Sequence, residues 1–386
     1  MMHVYAGNLY GGVERMLAVF AAEASTDPRL EQSFALCFEG RLADELREAE
    51  APLDVLGPVR MRRPLTVVRA RRALAEVMER RRPDVVVCHS SWTHGIFASV
   101  ARDRGIPVAF WLHDAVTGRT WADRLARRTR PDAALCTSAF AATTLERLWS
   151  GVPSAVVHPP IMHHTVDPLR GTILRGVLGT GLDEVVILQA SRMEAWKGHR
   201  VLIDALGLMA GSPGWTCWIA GGPQRPAEEV YLEGLRARAE ELGIAHRVRF
   251  LGQRADVPLL MAAADIVCQP NLQPEPFGIT FVEAMQAGRP VVGTAAGGTN
   301  EVVVESTGFL IPVDDAAALA DALRTLVEDE AVRHRLGAAG PGRARELSDP
   351  LRQMERMRAV LAGIVRADGA RADAAVADAD AARAGG

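Results

Sequence analysis

The sequence predicts an α/β protein built from two doubly wound, Rossmann-like domains, and three observations predict it. Short apolar runs alternate with longer amphipathic segments along nearly the whole chain. Several of these runs are continuous in Val, Ile and Ala, such as Val185–Ala190, and do not alternate with polar residues. Such runs mark parallel strands covered by helices on both faces. The pattern lapses once, between about residues 160 and 184, where Pro159, Pro160, Pro168, Gly171, Gly176, Gly179 and Gly181 cluster. A chain of 386 residues is long enough for two domains on either side of that lapse. We therefore expect a first domain over 1–168, a second over 169–345, a C-terminal helix over 346–366 and a disordered tail over 367–386.

In the first half the expected strands are His3–Ala6, Ser33–Cys37, Leu53–Leu56, Val85–Cys88, Val108–Trp111, Ala133–Cys136 and Ala155–His158. In the second half they are Val185–Ala190, Thr216–Ala220, Val248–Leu251, Ile266–Gln269, Val291–Gly293 and Phe309–Ile311. Between them, residues 67–78 place Val67, Ala70, Leu74, Val77 and Met78 on one helical face. Further helices are expected over 228–242, 315–329, 331–337 and 350–366. The last 20 residues are nearly all Ala, Asp, Arg and Gly and cannot bury a core. An Asp-Ala-Asp at 378–380 carries no weight as a metal site in such a segment.

Composition narrows the function. A net charge of −3 implies no general attraction to nucleic acid. No apolar run is long enough to cross a bilayer, and no secretory signal opens the chain. The five cysteines (Cys37, Cys88, Cys136, Cys217, Cys268) lie mostly in apolar runs and form no C-x-x-C pair. They read as reduced, buried small hydrophobes of a cytoplasmic protein, not as zinc or iron–sulfur ligands.

The richest stretch is 275–292. Glu275 sits in a Pro-braced loop, Gly278 follows, and a helix then carries Glu283. Unpaired N–H groups around Gly278, Ile279 and Thr280, helped by the helix dipole, make an anion site. The chain holds one lysine among 44 Lys and Arg, and that lysine, Lys197, follows the Val185–Ala190 run together with Arg192. An ammonium and a forked guanidinium at a strand's carboxyl end suit a diphosphate. Two carboxylates beside a phosphate-ready helix suggest a ligand with hydroxyls and phosphates, such as a nucleotide sugar. A weaker cradle of the same kind lies at Gly11-Gly12, between the first strand and a helix from Val13.

These residues resemble the glycosyltransferases of family 4, also described as glycosyl transferases group 1, whose fold is GT-B, two facing Rossmann-like domains. The resemblance rests on Gly11-Gly12-Val13-Glu14-Arg15, Trp111-Leu112-His113-Asp114, Ser191-Arg192 through Lys197-Gly198-His199, Ala220-Gly221-Gly222-Pro223, Glu275-Pro276-Phe277-Gly278 through Glu283-Ala284-Met285, and Gly297-Gly298 with Glu301. It spans roughly residues 3–345 and is most specific in the second half. It implies a retaining, metal-independent transfer of a sugar from a nucleotide-diphosphate sugar, with no bound cofactor, to a hydroxyl of a sugar, lipid-linked or small-molecule acceptor. By the same resemblance Arg192 and Lys197 bind the donor diphosphate and Glu283 holds the ribose hydroxyls. Glu275 and the backbone at Phe277, Gly278 and Ile279 meet the donor sugar and phosphate. Gly12 lets the first loop approach the diphosphate, and His113 lies beside the reacting centre. Two departures stand out: the first strand is short, which leaves a start upstream open, and Asn300 stands where a proline is common.

His89 and Trp92 could touch an acceptor, though a strand-end turn with a packed aromatic is the plainer account. The stretch Arg60–Arg82 holds nine Arg and could give weak peripheral membrane contact, or be simply a solvated face. A glycoside hydrolase would use Glu275 and Glu283 as its acid pair but gives Arg192 and Lys197 no task. An epimerase or a non-catalytic partner subunit would keep the nucleotide pocket.

Overall fold

The computed structural model describes residues 1–7, 11–24 and 29–384, with side chains to residue 367. The chain divides into two compact units, Met1–Ile161 with Pro350–Gly386, and Met162–Asp349.

The first unit holds seven strands: β1 (Met2–Tyr5), β2 (Ser33–Leu36), β3 (Leu53–Val55), β4 (Val86–His89), β5 (Val108–Leu112), β6 (Ala133–Cys136) and β7 (Ser154–Val156). They form one sheet in the order β3-β2-β1-β4-β5-β6-β7, and every pair is parallel. The second unit holds six: β8 (Val185–Ala190), β9 (Trp215–Ala220), β10 (Val248–Gly252), β11 (Ile266–Gln269), β12 (Val291–Thr294) and β13 (Gly308–Ile311). Their order is β10-β9-β8-β11-β12-β13, again all parallel. Strands β4, β5, β6, β8, β9, β11 and β12 are buried along their whole length, which explains their unbroken apolar sequences. Each expected strand is present within two residues of its expected ends.

Each sheet reverses its order once, between β1 and β4 in the first unit and between β8 and β11 in the second. The crossover helices on either side diverge there and leave a crevice at the carboxyl ends of the strands, the standard ligand position in such folds.

Helix Gly12–Ala22 buries Met16, Leu17 and Phe20 against the first sheet. Helix Pro350–Ala384 returns to the same core with Met354, Met357, Leu361 and Ile364, each worth about 1.5–3 kcal/mol of burial. Near that helix's start the Gln353 side-chain oxygen accepts a hydrogen bond from His158 N at 3.1 Å. The side chains of 368–386, where a disordered tail is expected, lie outside the described residues.

Two helices differ from expectation. Pro168–Val177 is helical inside the stretch whose apolar period lapses. Asp167 caps it through Leu169 N at 2.9 Å and Pro168 takes the first position; Leu169, Ile173 and Val177 follow one another at helical spacing on an exposed face, and the internal Gly171 and Gly176 make the segment read as a linker. The second is Glu330–Ser348, which continues past 337 through Pro341. It packs closely on helix Ile279–Gln286, where a side chain on Gly340 would meet the Met285 backbone at 2.8 Å. Tertiary contact has overridden local propensity there.

All five cysteines are buried thiols, and burial pushes Cys37 and Cys136 up to about 12. Helix Pro64–Arg81 buries Ala70, Leu74, Val77 and Met78, as its period predicts. Several arginines of the basic stretch are paired: Arg71 with Ile96 O and Ser99, and Arg80 and Arg81 with Asp54. Among the described residues no helix is long and apolar enough to cross a membrane.

Candidate active site

In the second unit the loops after β8 and β11 converge. After Ala190 the chain passes Arg192, makes a short 3-10 turn over Ala195–Lys197 and reaches Gly198. Gly198 has φ +76°, and a Cβ there would lie 1.8 Å from Pro270 O, just beyond β11. Only glycine permits both the left-handed backbone and this contact. The turn is held further by Gln189 Nε2 donating to Lys197 O (2.8 Å) and Leu272 N donating to Trp196 O (2.7 Å). Lys197 is thereby aimed at the loop that follows β11.

There its ammonium lies 2.9 Å from Glu275 Oε2, the two side chains being 12% and 14% exposed. Asn271 Nδ2 (2.6 Å) and Gln269 Nε2 (3.3 Å) donate to the same oxygen. Glu275 Oε1 has no protein partner among the described residues and can accept from a ligand hydroxyl. The Glu275 loop is clamped from behind. Gly298 N donates to Glu275 O at 2.7 Å, and Gly297, with φ +72°, would place a Cβ 2.4 Å from that oxygen. Buried acceptors Gln189 Oε1, Gln269 Oε1 and Asn271 Oδ1 have no partner among the described residues. Buried polar groups left so at a strand edge mark a polar ligand position.

Arg192 shares the Lys197 loop, but its side chain is 52% exposed and pairs with Glu194 at 3.0 Å. Trp196 Nε1 donates to that same carboxylate. Helix Ile279–Gln286 starts beyond Gly278; Gly278 O accepts from Phe281 N and Val282 N, so the Ile279 and Thr280 N–H groups have no partner inside the helix. Phe277 is buried at its foot. Glu283 is 9% exposed and lines a cavity of about 420 Å³ with His163, Thr172, Arg175, Met261 and Arg289. That cavity does not include Lys197, Arg192 or Glu275.

In the first unit Gly12 opens its helix, and Gly11 N donates to Glu14 at 3.0 Å; Asn8, Leu9 and Tyr10 of the glycine loop lie outside the described residues. His113 follows β5 directly and is 8% exposed. Its backbone oxygen accepts from Thr137 Oγ1 at 3.2 Å, and its Nε2 lies 2.8 Å from His89 Nδ1. Burial, then the neighbouring His3, lowers His113 to about 3. His89 is wholly buried, so the reading that it touches an acceptor fails, and Trp92 packs against the core. Among the described residues no group of three or more His, Cys, Asp or Glu is arranged to hold a metal ion.

Sequence reasoning missed Asn271, Gln269 and Gln189 around Glu275, and Gln32 and His3 behind His113. Asn271 was within reach, since it lies two residues past the end of β11 and precedes Glu275 by four residues.

Comparison with known proteins agrees with this geometry. Residues 172–343 match the model for glycosyl transferases group 1, and residues 10–163 match that for glycosyltransferase family 4. A D-inositol 3-phosphate glycosyltransferase of Nocardioides sp. is 31% identical over 298 residues, 69% of this chain and 64% of the relative's length. A phosphatidyl-myo-inositol mannosyltransferase of Mycobacterium leprae is 33% identical over 263 residues, 67% of this chain and 61% of the relative. The chain thus spans less than two thirds of these curated relatives. Among solved structures, Anabaena Alr3699/HepE in complex with UDP-glucose has a TM-score of 0.81 at 25% identity, covering 94% of this chain and 100% of that one. On its two matched halves and its GT-B fold, the chain belongs to glycosyltransferase family 4, the glycosyl transferases group 1.

Proposed function

We propose that the protein moves a sugar from a nucleoside-diphosphate sugar to an acceptor hydroxyl, with retention at the anomeric carbon and with side-chain cations in place of a metal ion. The observation that carries this reading is the half-buried Lys197–Glu275 pair at the switch point of the second sheet, beside the start of helix Ile279–Gln286. As the donor's C1–O bond breaks, the electron pair leaves with the diphosphate. Lys197, the exposed Arg192 and the helix-end N–H groups are the donors placed to stabilise that charge. Glu275 Oε1 would accept from a sugar hydroxyl. The acceptor oxygen forms the new bond to C1, and its proton passes to the departing phosphate oxygen.

The UDP-glucose named for the Anabaena protein supports a nucleoside-diphosphate sugar as donor. D-inositol 3-phosphate and phosphatidyl-myo-inositol, named for the relatives, are the first acceptors to try. A lipid-linked acceptor would be served by peripheral contact of the Arg60–Arg82 face, which flotation with anionic vesicles tests.

Thermal shift with UDP, GDP and ADP, followed by product analysis with the matching sugars, tests the proposal. One nucleotide is expected to raise the melting temperature, and the product's proton coupling constants to report the donor's anomeric configuration. An inverted product overturns retention; an epimerised donor, or binding without turnover on any acceptor, overturns transfer.

A further inference from the structure

Three buried histidines stand in line across the first sheet. His3 on β1 pairs in register with Val87, two residues before His89 on β4, and His89 pairs with Trp111, two residues before His113. Because side chains alternate between faces, all three histidines share one face, each two residues nearer the carboxyl edge than the last. Their ring centroids lie 5.0 Å apart from His3 to His89, tilted by 36°, and 5.1 Å apart from His89 to His113, nearly parallel, among Phe20, Phe34 and Trp111. His3 Nδ1 lies 2.8 Å from His89 Nε2, and His89 Nδ1 lies 2.8 Å from His113 Nε2.

The far end of this chain fixes its direction. Gln32 Nε2 donates to Phe20 O at 3.1 Å, so Gln32 Oε1 is the atom that faces His3 Nε2, also at 3.1 Å. A carbonyl oxygen only accepts, so His3 carries its proton on Nε2. Burial holds His3 near 3 and His89 well below the usual histidine value, so these rings are neutral near pH 7. A neutral ring protonated on Nε2 has a bare Nδ1. His3 Nδ1 must therefore accept from His89 Nε2–H, and His89 Nδ1 in turn from His113 Nε2–H. The last bare nitrogen is His113 Nδ1, which has no partner among the described residues, on a residue that keeps 8% of its surface exposed. A core built only for packing would place phenylalanines at 3 and 89.

We infer that Gln32, His3 and His89 are positioning residues that hold His113 as its Nε2–H tautomer and present its Nδ1 as a hydrogen-bond acceptor to a hydroxyl of the sugar ligand. The tautomer stands on the geometry alone, whereas the ligand's identity rests on the glycosyltransferase reading. An acceptor-only atom takes an O–H group and refuses fluorine in its place.

The test uses the full chain labelled with nitrogen-15 and long-range proton–nitrogen correlation of the histidine rings. The wild-type protein is expected to show His113 protonated at Nε2. His3→Phe keeps the ring's shape but removes the acceptor for His89 Nε2–H. A buried N–H without a partner costs more than a bare nitrogen, so the proton of His89 moves to Nδ1 and that of His113 moves to Nδ1 as well. Gln32→Leu drives the same reversal and serves if His3→Phe does not fold. His3→Asn restores an acceptor at the Nδ1 position and is expected to return His113 to Nε2–H. His113 protonated at Nδ1 in the wild type, or unmoved in folded His3→Phe and Gln32→Leu, overturns the inference.

The second arm measures binding of nucleotide sugars monofluorinated at each ring hydroxyl in turn. Fluorine at one position is expected to weaken binding about tenfold in the wild type and much less in His3→Phe. Equal tolerance of fluorine at every position overturns the ligand half. Failure of every nucleotide sugar to bind overturns the glycosyltransferase reading with it and leaves the tautomer to the nitrogen spectra.

Discussion

The first sheet reverses its order between β1 and β4, the second between β8 and β11, and both present the carboxyl ends of parallel strands at that point. What they present differs. The second sheet ends in a polar cluster in which Lys197, Asn271 and Gln269 all donate to one oxygen of Glu275. The first ends in neutral stacked rings, His3, His89 and His113, sunk among aromatic side chains. One architecture thus carries a charged grip and an uncharged one. The charged grip suits an anion whose charge grows during reaction; the uncharged one suits hydroxyls, which need orientation more than charge.

The sharpest way to break that comparison is Lys197→Ala. If the ammonium stabilises the departing diphosphate, its loss raises the barrier by about 2.7–4 kcal/mol, a fall of about 10²–10³ in kcat. It also leaves Glu275 half-buried without its cation. The thermal shift with the matching nucleotide is expected to vanish in the same variant. Steady-state kinetics with turnover kept within threefold of wild type would remove the charged grip from the mechanism.

Next in size is Gly198→Ala, which tests how the grip is built. An alanine there meets Pro270 O at 1.8 Å in a left-handed backbone, so the loop must move or the fold must strain. A stability loss of about 1–3 kcal/mol is expected in urea titration, with the Lys197–Glu275 pair displaced and turnover reduced in step. Unchanged stability would mean that the two loops need not touch.

The two sites were unequally legible in the sequence. Lys197 with Arg192, and Glu275 with Glu283, each fall within one short segment, so motif and spacing expose them. That Lys197 and Glu275 meet follows from the adjacency of β8 and β11, which the doubly wound pattern implies. Asn271 and Gln269 were passed over because amides next to a carboxylate look like loop chemistry until their atoms are placed. The histidine chain draws on residues 3, 32, 89 and 113: one inside a strand, one at a strand's last position, and two just outside strands. Only strand register shows that three of them share a face, and no spacing along the chain encodes it. Helix Pro168–Val177 was hidden for a different reason: Pro168, Gly171 and Gly176 read as linker residues, although Leu169, Ile173 and Val177 keep helical spacing on its exposed face.

Glu283→Gln asks whether the grip extends along helix Ile279–Gln286. A carboxylate accepting from ribose hydroxyls contributes through binding alone, so KM for the donor is expected to rise about tenfold with kcat little changed. A fall in kcat at constant KM would instead place Glu283 at the reacting centre.

The smallest expected effect concerns acid, and it contrasts the charged site with the neutral one. His199 stands two residues from Lys197, wholly buried, with Nε2 3.1 Å from Ser191 Oγ. Burial first, then the Lys197 charge, lowers it to about 4. Above about pH 6.5 the ring is neutral in both folded and unfolded chains, and the full stability is present. As pH falls from 6.5 toward 4 the unfolded chain takes up a proton that the folded one refuses, and stability is lost over that window. Between pH 6.5 and 5.5 this one group accounts for about 1 kcal/mol. Urea titrations of the second unit's transition at the two pH values, with and without His199→Phe, measure that share directly. In the first unit His3 and His113 are lowered to about 3 and His94 to about 4, so its acid sensitivity is expected to exceed that of the second. Hydrogen exchange followed by mass spectrometry at pH 5.5 resolves the two units. Opening of the second unit before the first would show that the stacked rings accept protons in place, and that the neutral grip is neutral only near pH 7.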